Sequence, residues 1–192
     1  MKSILMSIQP YYAYLEMKGI KTIEIRKREP KSKDWSRKVK VYVSQNKKSF
    51  NRIPKEDRVW FKQYVGKVAY EFVCDKVDTI LCASTDHRYF SKCGTCLTEE
   101  EIRNYCNGND IFGWHISDLK VYDKPKELGE IITYTTRRRY TTKKAKEFTG
   151  DGINIEKLIH GNRVEARIIT KPPQSWQYVG EMPKSCKENK ND

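Results

Sequence analysis

The segment from Ser3 to Arg28, SILMSIQPYYAYLEMKGIKTIEIRKR, leaves the backbone few courses to follow. A short apolar strand runs to Ser7-Ile8. Gln9-Pro10 starts a helix, with proline at the first helical position, where its missing N–H costs nothing. Gly19 ends that helix as a left-handed cap residue. The chain then alternates as a strand, with Thr22, Glu24 and Arg26 on one face and Ile23 and Ile25 on the other. The isoleucines require a core. The opposite face sets a carboxylate beside a guanidinium, with Lys21 at the start of the strand. Opposite charges at fixed spacing on a stiff element form a preorganised polar site. A solvated strand face carrying a surface ion pair has the same spacing and contributes little.

The run S-I-Q-P…G-I-K-T-I-E-I-R resembles the signature of the ASCH domain, a small β-barrel of the PUA-like superfamily. Weaker similarity continues through G-K-V-A-Y-E-F at 66–72 and G-W-H-I-S-D-L-K-V-Y at 113–122. Known members of that superfamily are mostly RNA-binding modules, and some ASCH proteins are amidohydrolases of N4-acetylcytidine. The resemblance implies an active-site lysine at Lys21. In those hydrolases the residue three positions later is threonine, where this chain has Glu24. Their second catalytic carboxylate follows a later strand, for which Glu71 is the nearest equivalent.

The chain has 192 residues, 38% of them apolar, enough for one globular domain with elaborations. Its first apolar stretch breaks at Gln9, and no run approaches the ~20 residues of a membrane span. A cytoplasmic protein with no membrane partner is therefore expected. Net charge is +13, and residues 21–67 carry 16 Lys and Arg against 5 Asp and Glu. Residues 137–146, RRRYTTKKAK, add six basic residues and no acid, with Arg137, Arg138, Arg139, Lys143 and Lys144 as candidate phosphate contacts. Such clustering fits a nucleic-acid backbone. A lysine-rich solubilising surface is the alternative.

Six cysteines without a secretory signal argue for reduced thiols. Cys74 lies in an alternating strand and reads as core. Cys93-Gly-Thr-Cys96 has zinc-knuckle spacing, with Cys82, His87 and Cys106 nearby, but no second half-motif exists. No metal or cofactor is expected, with Cys93 and Cys96 the candidates against that expectation.

Further along, 27–38 reads as an exposed basic loop, Lys40 to Ser44 as a strand and 55–65 as a helix. A long strand from Gly66 through Thr79 buries Val68, Tyr70, Phe72 and Cys74. Thr98 caps a helix ending near Asn107-Gly108. Gly113 to Tyr122 reads as one strand, broken by Lys124-Pro125-Lys126. Beyond it, short β-runs at Glu130 to Thr136 and Val164 to Thr170 flank a brief helix over 154–161. After the Pro-Pro-Gln-Ser turn, Trp176 is placed to cap the barrel or close the pocket. Gln177 to Glu181 returns as a strand.

Together these features predict an α+β chain: a PUA-like mixed β-barrel flanked by two or three short helices. The barrel spans 1–125, an elaboration packed on it spans 126–182, and a disordered tail follows from 183. The ligand-binding candidates are Ser7, Gln9, Lys21, Thr22, Glu24, Arg26, Trp114 and His115. Trp114 would stack a base and His115 would serve as acid, base or donor; core packing is the alternative for both. Lys21, Glu24 and Glu71 are the catalytic candidates, and Lys21, at a strand's start, is expected to matter little to the fold. Three functions fit: an RNA-binding protein holding a base or nucleoside, an amidohydrolase of N4-acylated cytidine-type nucleosides, and a non-catalytic interaction module. No oligomeric state is legible.

Overall fold

A computed structural model describes residues 2–31, 35–83, 86–138, 157–159 and 162–180. In chain order the elements are β1 (Lys2–Ile8), α1 (Pro10–Met17), β2 (Ile23–Arg26), β3 (Trp35–Val43), α2 (Lys47–Phe50), α3 (Lys55–Phe61), β4 (Val68–Val73) and β5 (Val77–Ile80). Then come α4 (Asp86–Lys92), α5 (Glu99–Cys106), β6 (Ile111–His115), β7 (Ser117–Lys126), β8 (Ile132–Arg138), β9 (Lys157–Ile159), β10 (Asn162–Ile168) and β11 (Trp176–Gly180).

The opening unit forms as its residues dictate. Pro10 occupies the first turn of α1, behind Gln9 in extended conformation. Gly19 adopts φ +71°. Its N–H bonds Glu16 O, and Ile20 N–H reaches back to Leu15 O at 2.9 Å, which is the Schellman closure. Leu15 O also accepts from Lys21 N–H, so the helix stop positions Lys21 directly.

Three sheets result. The first has the order β11-β1-β3-β4-β7, with β1 and β3 parallel and the other pairs antiparallel. The second is β2-β6-β5, and the third is β8-β10-β9. Alternation assigns the faces of β2: Ile23 and Ile25 join Ile80, Phe90, Ile102 and Ile111 in a second core. The main core lies under the first sheet, around Met6, Val41, Tyr70, Phe72 and Trp114. Gly113 is needed where these layers meet, because a Cβ there would lie 3.1 Å from Ile23 Cγ2.

The sheets do not close into a barrel. The chain passes from the first sheet to the second between β4 and β5, and returns between β6 and β7, at Ile116. The edge strands β7 and β11 therefore never hydrogen-bond to β2 or β5. The same two crossings divide the long strand expected from Gly66 and the one expected from Gly113. Five short α-helices stand among the described residues, more than the two or three expected. Pro125 does not break its strand, because β7 is an edge and needs no N–H on its outer side. Lys157–Ile159 is a strand paired with β10 rather than part of a helix. β8 and β10 form a hairpin-like pair, and β11 adds to β1 in the first sheet. The third sheet packs through Ile131 and Ile169 onto Leu5, Tyr42, Val68 and Val179. Among the described residues no helix is long and apolar enough to cross a membrane. The tail expected from 183 lies outside the described residues.

Candidate functional site

A cleft of about 510 Å³ opens where β1 and β3 end, between the first and second sheets. Its floor is the polar face of β2, Glu24 and Arg26, with Lys21 beside them. Ser7, Gln9 and Tyr12 form one wall, at the junction of β1 and α1. Ser44 and Asn46, after β3, continue the rim. Glu101 and Tyr105 of α5 and Gln174, just before β11, complete the lining. The capping box of Thr98 and Glu101 fixes the start of α5, so Glu101 is set by the cap itself.

The floor is an ion network, not a solvated face. Lys21 is only 2% exposed. Its Nζ donates to Ile23 O at 2.6 Å and Thr95 O at 2.8 Å, and stands 3.1 Å from Glu24 Oε2. Three acceptors match the three protons of an ammonium. Arg26 Nη2 lies 2.8 Å from Glu24 Oε1 and donates to Ser7 O at 2.7 Å. Burial disfavours the Glu24 charge, but Lys21 and Arg26 outweigh it and hold this carboxyl below the usual range.

Glu16, on the inner side of α1, is the site residue that sequence reasoning missed. It is 2% exposed, and its Oε2 accepts from Tyr70 Oη at 2.6 Å. Burial first, and the Glu24 charge second, push its pKa well above the ordinary value. Its neutral form is thereby favoured beside the Glu24 carboxylate. Tyr70 is pushed up too, by burial and by Glu16. The floor thus sets two cations around the Glu24 carboxylate, with Glu16 a buried neighbour that does not itself line the cleft. The signal was present: Glu16 is the sole charged residue in PYYAYLEM. Tyr12, Glu101, Tyr105 and Gln174 were also missed, since no short-range pattern brings them together.

The remaining candidates go elsewhere. Trp114 is Glu24's partner across the β2–β6 pair, on the same face. It is fully buried, with its ring centroid 5.7 Å from that of Trp176, so it supports the floor and does not line the cleft. His115 points to the opposite face, and its Nε2 lies 2.7 Å from Asp78 Oδ2. Thr22 precedes β2 and is exposed, with its N–H bonded to Gly94 O. Glu71 is held by Lys40 Nζ at 3.0 Å and Tyr122 Oη at 2.8 Å, and does not line the cleft with Lys21.

Cys93 and Cys96 do not share partners: Cys93 hydrogen-bonds Tyr89, and Cys96 Sγ reaches Ile20 O. Cys106 Sγ lies 3.4 Å from His87 Nε2 in the second core, and Cys74 is buried as expected. No group of three or more His, Cys, Asp or Glu able to hold a metal exists among the described residues. Arg137 and Arg138 end β8, in register with Arg163 and Asn162. Arg139, Lys143 and Lys144 lie outside the described residues, as does Cys186.

No family model and no curated protein matches the sequence. Among solved structures, the chain is similar to ASCH from Zymomonas mobilis, with a TM-score of 0.53 and 17% identity, over 93% of this chain and 88% of that one. A point mutant of the same bacterial protein gives 0.55 and 16% identity, over 93% and 89%. This likeness in backbone course, joined to the strand–Gln-Pro–helix–Gly–strand unit that builds the cleft, makes the fold of this chain ASCH-like.

Proposed function

We propose that the cleft binds a nucleobase and that the protein is a single-stranded RNA-binding module. The observation that carries this reading is Glu24, a buried carboxylate presented at the cleft floor between Lys21 and Arg26. A carboxylate offers about four lone-pair sites. Lys21 and Arg26 occupy two, which leaves acceptor capacity for an exocyclic amine such as that of cytosine or adenine. Tyr12 and Tyr105, both lining the cleft, supply aromatic surface for a base. The net charge of +13 supplies attraction to phosphates.

Turnover of an N4-acylated cytidine would use the same Lys21 as base or nucleophile. That role needs an amine with a free lone pair, whereas Nζ here faces three acceptors. The geometry therefore favours binding over hydrolysis.

Calorimetric titration with cytidine, adenosine and uridine tests the reading. Cytidine and adenosine should bind more tightly than uridine. Glu24→Gln should weaken cytidine by ~1.5–3 kcal/mol, the scale of a charge-assisted hydrogen bond. Equal affinity for all three nucleosides, unaffected by Glu24→Gln, would sink it. Acetate release from N4-acetylcytidine at high protein concentration would instead favour the hydrolase.

A further inference from the structure

Beside the cleft lies a second groove, of about 910 Å³. The two share a boundary. Arg26 lines the cleft and Lys27, the next residue, lines the groove. On the other side Gln174 lines the cleft and Trp176 lines the groove. The intervening Ser175 is tied to β1 by Ser7 N–H donating to its carbonyl at 2.9 Å, so the partition is held by the first sheet.

The lining of this groove has a definite chemistry. Lys27, Arg28 and Lys31 line it, with Glu29 as the one acid. Phe112, Trp176 and Tyr178 complete the lining as an aromatic shelf. The shelf is stiff. Trp176 packs on buried Trp114, meets Tyr178 edge-on at 5.4 Å, and donates from Nε1 to Arg28 O at 3.3 Å. That last bond also anchors the basic segment to the aromatic one. Lys2 adds a cation 5.9 Å from the Tyr178 ring. Cations and a rigid aromatic surface lining one open groove combine backbone attraction with base stacking, the pairing used for single-stranded nucleic acid.

We infer that this groove holds the nucleotide next to the one whose base enters the cleft, so that the partner is a single strand of RNA and not a free nucleoside. This rests on the nucleobase reading of the cleft, which it deepens. Arg28 and Lys31 neutralise phosphates, the aromatic shelf stacks the neighbouring base, and the shared wall of Arg26–Lys27 and Gln174–Trp176 sets the step between the two. A neutral monomer in the cleft reaches none of these groups.

Anisotropy titration of a labelled single-stranded RNA hexamer, beside calorimetry with cytidine, tests the inference. Arg28→Glu combined with Lys31→Glu changes two exposed residues outside both cores. It should weaken the hexamer at least tenfold and leave cytidine within twofold. The slope of log affinity against log salt should become shallower by about 1.4, for two phosphates at ~0.7 each. Tyr178→Ala, with thermal unfolding as the fold check, should weaken the hexamer several-fold and spare cytidine. Unchanged hexamer binding in the charge variant would overturn the inference. So would a hexamer that binds no more tightly than cytidine, or polyglutamate that displaces the hexamer at equal charge. If wild-type protein binds the hexamer but not cytidine, and the charge variant still loses the hexamer, the cleft reading falls and the groove stands.

Discussion

Glu16 and Glu24 are neighbouring carboxyls driven opposite ways: burial and the Glu24 charge raise the pKa of the first, and Lys21 and Arg26 lower that of the second. Eight positions apart and separated by the turn at Gly19, the two carboxyls meet because the helix stop folds β2 back beneath α1. Tyr70, from β4 of the first sheet, donates to Glu16.

This array has a pH signature. Burial raises the Glu16 pKa above its ordinary value of 4.5, so the folded state binds this proton more tightly than the unfolded chain. The contribution to stability is complete below that value and is lost as pH rises through the raised folded value. Glu16→Gln keeps a donor toward Glu24 without the titration. Urea unfolding from about pH 5 to about pH 8 should show a smaller loss of stability in this variant than in wild type. Glu24 has the opposite sign: its contribution is present above 4.5 and is lost as pH falls through the depressed value. The acid arm should therefore persist in Glu16→Gln. Identical pH profiles for the two proteins would refute the raised Glu16 pKa.

Lys21→Ala should destabilise the fold, contrary to what its place at a strand's start suggests. Removal leaves two buried carbonyls and one face of Glu24 without their donor. Breaking a buried pair in this way costs about 3–5 kcal/mol. Chemical denaturation reads the loss directly, and a change below about 1 kcal/mol would mean that water replaces the ammonium.

Gly19→Ala tests the helix stop. Nothing lies within 4 Å of the added Cβ, so the whole effect is backbone strain at φ +71°. The expected cost is about 1–2 kcal/mol in unfolding free energy. Nucleoside affinity should fall alongside it if the stop positions Lys21, and should hold steady if it does not.

Trp114→Ala and His115→Ala should separate sharply. Trp114 is fully buried, and its loss should cost about 3–5 kcal/mol of stability. His115, half-buried against Asp78 on the far face, should cost far less and leave cytidine affinity within error. Selective loss of binding in His115→Ala would mean that the cleft extends to that face.

Much of the opening unit was legible because its determinants are local. Pro10 at the helix start, Gly19 at its stop, the alternation of Ile23 and Ile25 with Glu24 and Arg26, and the Thr98–Glu101 cap each act within a few residues. Strand lengths were misread where the chain changes sheet, at Val73–Val77 and at Ile116. Both sides of each crossing keep the same alternating pattern, and pattern alone does not reveal which neighbour a strand pairs with.

Backbone periodicity, set residue by residue, is enough to bring Lys21, Glu24 and Arg26 to one polar edge behind a capped helix. Long-range packing is what buries this edge and joins it into a network. The partners responsible lie far off in the chain: Thr95 is 74 residues from Lys21, and Tyr70 is 54 from Glu16. Burial converts an exposed ion pair of little worth into a preorganised site. It also moves Trp114 from a candidate ligand platform into the core, because the β2–β6 register sets it beside Glu24 but under Trp176. Long-range packing chose between the two readings that spacing left open, because desolvation depends on what covers a residue and not on what precedes it.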